Sequence, residues 1–312
     1  MRDLIRLTRP LNLLIVALTM IIMRYGVVGG WLNAVVGEVS LVMSGLQFFL
    51  LTLSTVLIMA GGNVINDYFD TRIDRVNKPH GVIVGRSVKR RVAMAGHWVL
   101  SGAGLLIGVF VAAHTRQGWL ALIPPFAVGA LWFYSTDLKK RLLIGNGLVA
   151  TLSAMVVLQV GLYDVRMMEF RFSGTAGLAF GPLWWWILSY AAFAFVSTLM
   201  RELQKDMADV RGDAAAGCRT VPIVRGMRGA RFLVAFWAML IIVAVGLLTD
   251  RVFVDLASRL YLYALVILPI LASCILTWNA RTRDQHNRAG DVMKLAMVFA
   301  VAFGAIHPWL LA

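Results

Sequence analysis

Charge is what this 312-residue chain has least of: 15% of its residues are charged, and only 16 are acidic. A soluble domain carries about a quarter charged residues. With so few, and with 60% of positions hydrophobic, an ordinary water-facing surface cannot be built, and a soluble globular enzyme is excluded. Cysteine is scarce too. The two present, Cys218 and Cys274, make neither a disulfide framework nor a cysteine zinc site. His80, His97, His114, His286 and His307 fall at no metal-ligand spacing, which leaves no imidazole-held metal to expect. No polar or low-complexity stretch is long enough to form a separate soluble unit, so residues 1–312 read as one integral membrane domain.

What the chain does have is apolar runs of about 20 residues, the length that crosses a bilayer as helix. They fall at Leu11–Gly30, Leu41–Asn66, Ala93–Ala113, Trp119–Ser135, Asn146–Tyr163, Pro182–Met200, Ala230–Thr249, Arg259–Trp278 and Val292–Leu311. The expected fold class is therefore all-α, a polytopic membrane bundle of about nine transmembrane helices. The basic stretch Met1–Arg9 ahead of the first run raises a signal peptide, but the run is long and no small-residue cleavage site follows it, so it reads as a retained first helix.

The net charge of +14 would suit nucleic acid if the cations were gathered in one solvated region. They are not: they alternate with the apolar runs. Arg2, Arg6 and Arg9 precede the first; Arg72 to Arg91 follow the second; Lys139, Lys140 and Arg141 follow the fourth; Arg201 to Arg231 follow the sixth; Arg281, Arg283 and Arg288 follow the eighth. The other connections carry Glu38, Asp164, Glu169, Asp250 and Asp255. By the positive-inside rule the basic connections face the cytoplasm, in a cell membrane, and no nucleic-acid partner is expected. Attraction to anionic membrane lipids follows as a by-product.

Two acidic clusters sit inside these basic connections. The second run ends in Asn66-Asp67-Tyr68-Phe69-Asp70-Thr71-Arg72-Ile73-Asp74, which on a helix lays Asn66, Asp70 and Asp74 one turn apart on one face. Two carboxylates about 6 Å apart repel by roughly 3 kcal/mol at an effective dielectric near 20, so a cation is wanted there. After the sixth run, Asp206, Asp209 and Asp213 share a face, interleaved with Arg201 and Lys205. Oxygen donors without Cys or His suit Mg²⁺, which joins a few carboxylates to substrate phosphate. Charged residues at one helix end are often only a solvated end. Two acid-rich faces at the same predicted membrane surface favour a shared ligand.

Asn66-x-x-x-Asp70-x-x-x-Asp74 followed by Asn77-Lys78-Pro79, and Lys205-Asp206-x-x-Asp209-x-x-Gly212-Asp213 followed by Gly217-x-x-Thr220-x-Pro222, closely resemble the two signature motifs of UbiA-type intramembrane prenyltransferases. Arg9-Pro10-x-Asn12, Tyr134-Ser135-x-x-Leu138-Lys139 and Gly145-Asn146 are weaker matches. Where many members continue with an Arg-Pro pair after Asn77-Lys78-Pro79, this chain reads His80-Gly81-Val82-Ile83-Val84-Gly85-Arg86.

The resemblance implies nine helices around a central cavity capped by the Asp-rich loops. The implied chemistry is Mg²⁺-dependent ionisation of a prenyl diphosphate and capture of the prenyl group by an acceptor. It implies Asn66, Asp67, Asp70, Asp74, Asp209 and Asp213 as the metal set, with Asp206 as a further catalytic carboxylate. Lys78, Arg86, Lys139, Lys205, Tyr134 and Asn12 are the implied diphosphate contacts. Tyr68, Phe69, Trp132, Phe133 and Tyr134 are candidates to face a carbocation. Trp184-Trp185-Trp186 reads as an interfacial belt at the opposite surface. The motif form is most similar to the digeranylgeranylglyceryl phosphate synthase branch, which implies a glycerol-phosphate hydroxyl as acceptor; an aromatic acceptor such as 4-hydroxybenzoate is the alternative. A cation-coupled transporter is the reading from another class, and it needs ionisable groups deep in several spans. Only Arg24 and Lys294 approach that description, and no chain of buried carboxylates is expected. Asp164 is expected in an outer loop, where its replacement by Asn would be silent.

Overall fold

Apolar sequence on every face makes helices that lipid can solvate, and lipid leaves each backbone N–H and C=O to be satisfied within its own helix. The computed structural model describes residues 2–37, 41–115, 117–172 and 179–310. Among the described residues nine helices are long and apolar enough to span a membrane. They are α1 (Pro10–Val35), α2 (Gly45–Phe69), α3 (Arg90–His114), α4 (Gly118–Thr136), α5 (Ile144–Arg171), α6 (Gly181–Ala215), α7 (Gly226–Val252), α8 (Leu256–Asn279) and α9, which begins at Arg283. The protein is a multi-pass integral membrane helix bundle. Lipid-facing positions stay apolar and bare, as at Leu46, Leu106 and Trp185.

Local sequence sets the helix starts. Ser44 and Gln47 form a reciprocal capping box at the start of α2, satisfying two amides that would otherwise lack acceptors. Pro10 opens α1, with Arg9 before it in the left-handed region at φ 56°, an uncommon conformation for a residue with a side chain. That turn carries the Arg9 guanidinium to Asp67 at 2.6 Å.

In lipid, helices associate through close packing and polar contacts rather than apolar burial. α2 and α3 show both. Ser54 Oγ donates to Gly104 O at 2.6 Å, and a Cβ on Gly104 would lie 2.9 Å from Ser54 O, so only glycine permits this approach. Between α6, α8 and α9 the link is polar. Gln204 donates to Ser273 Oγ and Thr277 Oγ1, both at 2.8 Å, and Ser273 donates to Ala289 O.

Each span overlaps its apolar run, and the longest overshoot is at α6. Its apolar run ends at Met200, yet the helix continues to Ala215. Leu203 and Met207, one turn apart, carry the buried face onward, so the helix does not stop where its hydropathy does. Thr71–Asn77 likewise continues α2 after a bend at Asp70; Asp70 N donates to Asn66 O and Asp74 N to Asp70 O. Asn66, Asp70 and Asp74 thus keep helical register through the bend.

Asp164 departs from the expected outer loop. It lies inside α5, fully buried, with Oδ2 3.3 Å from Nε of Arg24, itself 1% exposed. Both residues occupy π-helical turns, Ile22–Val28 in α1 and Gly161–Val165 in α5. A π-turn adds a residue and rotates the following face by about 100°, which turns two polar side chains inward to meet. Arg24 also donates to Met43 O and lies 4.5 Å from the Phe48 ring centroid. Among the described residues the carboxylates buried within spans are Asp164 and Glu202, each ion-paired in place, and isolated pairs make no chain for an ion path. Glu38 lies outside the described residues. Cys218 and Cys274 are free thiols.

Candidate active site

All five basic connections gather at one end of the bundle. Arg9 reaches Asp67 at 2.6 Å, Lys78 reaches Asp74 at 3.3 Å, Lys139 pairs with Asp70, and Arg283 reaches Asp209 at 3.2 Å. The carboxylates are half-buried, and every contact but Lys78–Asp74 comes from another element. Burial and the neighbouring Asp70 and Asp67 push the Asp74 carboxyl above its ordinary range, while Lys78 pulls it down.

The two acidic segments are joined directly. Asn77, three residues after Asp74, donates through Nδ2 to Asp209 O at 3.1 Å and accepts at Oδ1 from Gly212 N at 2.8 Å. A Cβ on Gly212 would meet Asn77 Nδ2 at 2.4 Å, so glycine is required for the docking. Asp213 lies within electrostatic range of both Asp209 and Asp70. Asp206 accepts from Asn146 Nδ2 at 2.8 Å, tying α6 to α5.

Beneath this cap lies a cavity of about 300 Å³. Its polar end carries Arg9, Asn12, Asn66, Tyr134, Arg201, Glu202, Lys205 and Lys294, and its apolar body includes Leu51, Ile58, Ile123, Leu131 and Val156. An elongated apolar substrate with an anionic head fits this division of the walls. Residues 13–300 match the UbiA prenyltransferase family.

The chain belongs to the UbiA prenyltransferase family.

Relatives agree over most of the length. The digeranylgeranylglyceryl phosphate synthase of Methanoculleus marisnigri is 35% identical over 224 residues, covering 72% of this chain and 68% of that protein. The enzyme of the same name from Thermococcus kodakarensis is 29% identical over 301 residues, covering 95% and 94%. Among solved structures, a UbiA homologue from Aeropyrum pernix K1 superposes with a TM-score of 0.64 at 17% identity, covering 93% of this chain and 97% of that one. A UbiA homologue from Archaeoglobus fulgidus, bound to DMAPP and Mg²⁺, gives 0.59 at 16% identity, covering 96% and 98%. These two likenesses show the fold.

Within this UbiA prenyltransferase the motif residues collect at one end with one exception. Arg86 is exposed in the Gly85 turn and, among the described residues, makes no hydrogen bond or ion pair with either motif. Among the described residues Lys205 makes no ion pair with the carboxylates of its own motif and pairs with Glu202 at 3.4 Å. Asn12 accepts from Lys294 Nζ at 2.6 Å. Of the five aromatic candidates only Tyr134 lines the cavity. Tyr68, Phe69 and Trp132 stack edge to face outside it, and Arg90 covers Tyr68 at 4.1 Å. Adjacent helix positions differ by about 100°, so neighbours of a cavity residue generally face elsewhere.

Asn77, Glu202, Arg201 and Lys294 also belong to this end, although none of them is among the expected metal or diphosphate residues. Asn77→Ala removes both hydrogen bonds between the motifs. At about 1 kcal/mol each, their loss is expected to lower kcat/KM by roughly 10- to 30-fold with the protein still folded, as measured by steady-state transfer kinetics.

The donor set fits Mg²⁺. Lys139 Nζ sits on Asp70 and 3.5 Å from Asn66 Oδ1, so oxygens from two residues already converge on one cationic group. Among the described residues no three His, Cys, Asp or Glu side chains cluster tightly enough to hold a metal alone. Mg²⁺ asks less of the protein, taking one or two carboxylates with the remainder from phosphate and water.

Proposed function

We propose that this protein transfers a prenyl group from a prenyl diphosphate to the hydroxyl of a glycerol-phosphate lipid precursor, with residues 1–312 acting as one catalytic domain. The observation that carries the reading is the Asn77 link, which holds two carboxylate motifs over the polar mouth of an apolar cavity. The digeranylgeranylglyceryl phosphate synthases among its relatives support the acceptor class.

Asn66, Asp67, Asp70 and Asp74 of the first motif and Asp209 and Asp213 of the second would hold Mg²⁺, with Asp206 held in place by Asn146. When bound, Mg²⁺ supplies counter-charge for the departing diphosphate. Lys78 and Lys139 stand beside the same carboxylates and meet the diphosphate oxygens. The C1–O bond of the prenyl diphosphate breaks, diphosphate leaves with the electron pair, and the acceptor oxygen bonds to C1 as its proton is lost. Leu51, Ile58 and Ile123 enclose the prenyl tail, and their dry wall keeps water from capturing C1 in place of the acceptor. The Tyr134 ring faces the same space.

The test is to incubate purified protein and Mg²⁺ with labelled prenyl diphosphates and either a prenylglycerol phosphate or an aromatic acceptor, then identify the lipid formed. An ether lipid product that disappears in excess chelator and returns with Mg²⁺ is expected. Prenylation of the aromatic acceptor alone overturns the acceptor reading, and full turnover in chelator overturns the metal.

The Lys- and Arg-rich connections support an active end that faces the cytoplasm of the cell membrane. Cysteine-accessibility labelling is expected to find Lys89 and Arg219 on the cytoplasmic side and Glu169 across the membrane. Lys89 and Glu169 on one side would overturn this orientation.

A further inference from the structure

Four cationic side chains line the cavity, Arg9, Arg201, Lys205 and Lys294, against one carboxylate, Glu202. Arg9 is neutralised by Asp67, and Glu202 is shared between Lys205 at 3.4 Å and Arg201 at 3.3 Å. About two positive charges are left facing the cavity. They are centred on Arg201 of α6 and Lys294 of α9, which lie within electrostatic range of one another. Lys294 makes no salt bridge among the described residues. Its ammonium donates to Asn12 Oδ1 at 2.6 Å, and Asp291 one turn earlier lies in electrostatic range.

Along their own helices these cations are well removed from Asp209 and from Arg283. Arg201 precedes Asp209 by eight residues on one helix, about 12 Å of axial rise, and Lys294 follows Arg283 by eleven, about 16 Å. The loop cations Lys78 and Lys139 already stand at the carboxylates. Holding two uncompensated charges in a half-buried wall is costly, and a ligand of opposite charge relieves it. A phosphate monoester carries about −1.5 to −2 at neutral pH, matching the residual charge. Asn12 lies in the first turn of the spanning helix α1, and the ends of a span are where the headgroup region begins.

We propose that Arg201 and Lys294, with Asn12 positioning the Lys294 ammonium, bind the phosphate monoester of the acceptor at a subsite separate from the diphosphate site. This rests on the glycerol-phosphate reading above. The subsite holds the acceptor by its charged end and leaves its hydroxyl to reach C1 beneath the motifs. Lys294, on the last helix, is thereby a specificity-determining residue for the phosphorylated acceptor.

The test uses the full chain in uncharged detergent, so that no lipid phosphate competes. Two acceptors are compared, a prenylglycerol phosphate and the same prenylglycerol without phosphate. Lys294→Met and Arg201→Gln are each expected to raise KM for the phosphorylated acceptor about 10- to 100-fold. Preference over the unphosphorylated acceptor should shrink by the same factor, with KM for the prenyl diphosphate within twofold of wild type. Lys294→Arg keeps the charge and should retain most of the preference, which separates charge recognition from packing if Lys294→Met accumulates poorly. Unchanged preference in both charge-removing variants overturns the subsite, as does a rise in donor KM with acceptor KM unmoved. Wild-type protein that does not alkylate prenylglycerol phosphate at all sinks the acceptor reading itself, a result distinct from either.

Discussion

Asp70→Asn and Asp209→Asn will each lower prenyl transfer roughly a hundred- to a thousandfold while leaving the protein folded in the membrane. Asn keeps the size of Asp and one oxygen acceptor but removes the charge. Lys139 and Arg283 would lose their ion-pair partners, and for half-buried pairs at the bundle end that costs stability of only about 1 kcal/mol. Stabilisation of the departing diphosphate is a different matter. Losing about 3–4 kcal/mol of it gives the stated rate loss. Initial rates at saturating prenyl diphosphate and Mg²⁺ separate the two cases, since a solvated helix end leaves the rate unchanged. Asp250→Asn, an exposed carboxylate that among the described residues accepts only from Tyr263 at 3.0 Å, serves as the silent control. Wild-type rates in both motif variants would remove the two-motif mechanism.

The largest loss of stability is expected far from those motifs, at Asp164→Ala. With the carboxylate gone, the Arg24 guanidinium remains buried with one backbone acceptor, Met43 O, and the Phe48 ring. Stranding one member of a buried pair costs about 3–5 kcal/mol, which corresponds to a fall in unfolding temperature on the order of 10 °C. Arg24→Met combined with Asp164→Leu removes both charges and should recover most of that loss. Thermal unfolding of detergent-solubilised protein reads both variants. A single variant that melts within 1–2 °C of wild type would mean that the pair contributes nothing.

The fold was legible because a bilayer imposes a length and a polarity on each span, and both are local properties of sequence. The acidic motifs were legible for a related reason: Asn66, Asp70 and Asp74 are related by helical register, and the bend at Asp70 preserves it. Contacts between distant helices were not. Asp164 looks like any carboxylate at the end of an apolar run, since its partner lies 140 positions away and both are turned inward by π-turns that no local pattern announces. Lys294 shows the same limit. One lysine in an apolar span marks polarity in the interior, but only the folded chain shows Asn12 and the cavity beside it. Trp132 and Phe133 failed as cavity candidates because adjacency in sequence is not adjacency on a helix face.

The hydrogen bond from Lys294 to Asn12 spans 282 positions, nearly the whole chain, and this bears on how the protein is made. At about 5–20 residues per second, Asn12 is in the membrane for on the order of 15–55 s before Lys294 has been synthesised. Arg283, the partner of Asp209, emerges almost as late. For most of that interval the nascent bundle has its first acidic motif but neither contact from α9, so the pocket is still incomplete. Completion of the chamber therefore waits on α9, which brings Lys294 and Arg283 to walls whose other helices are made earlier.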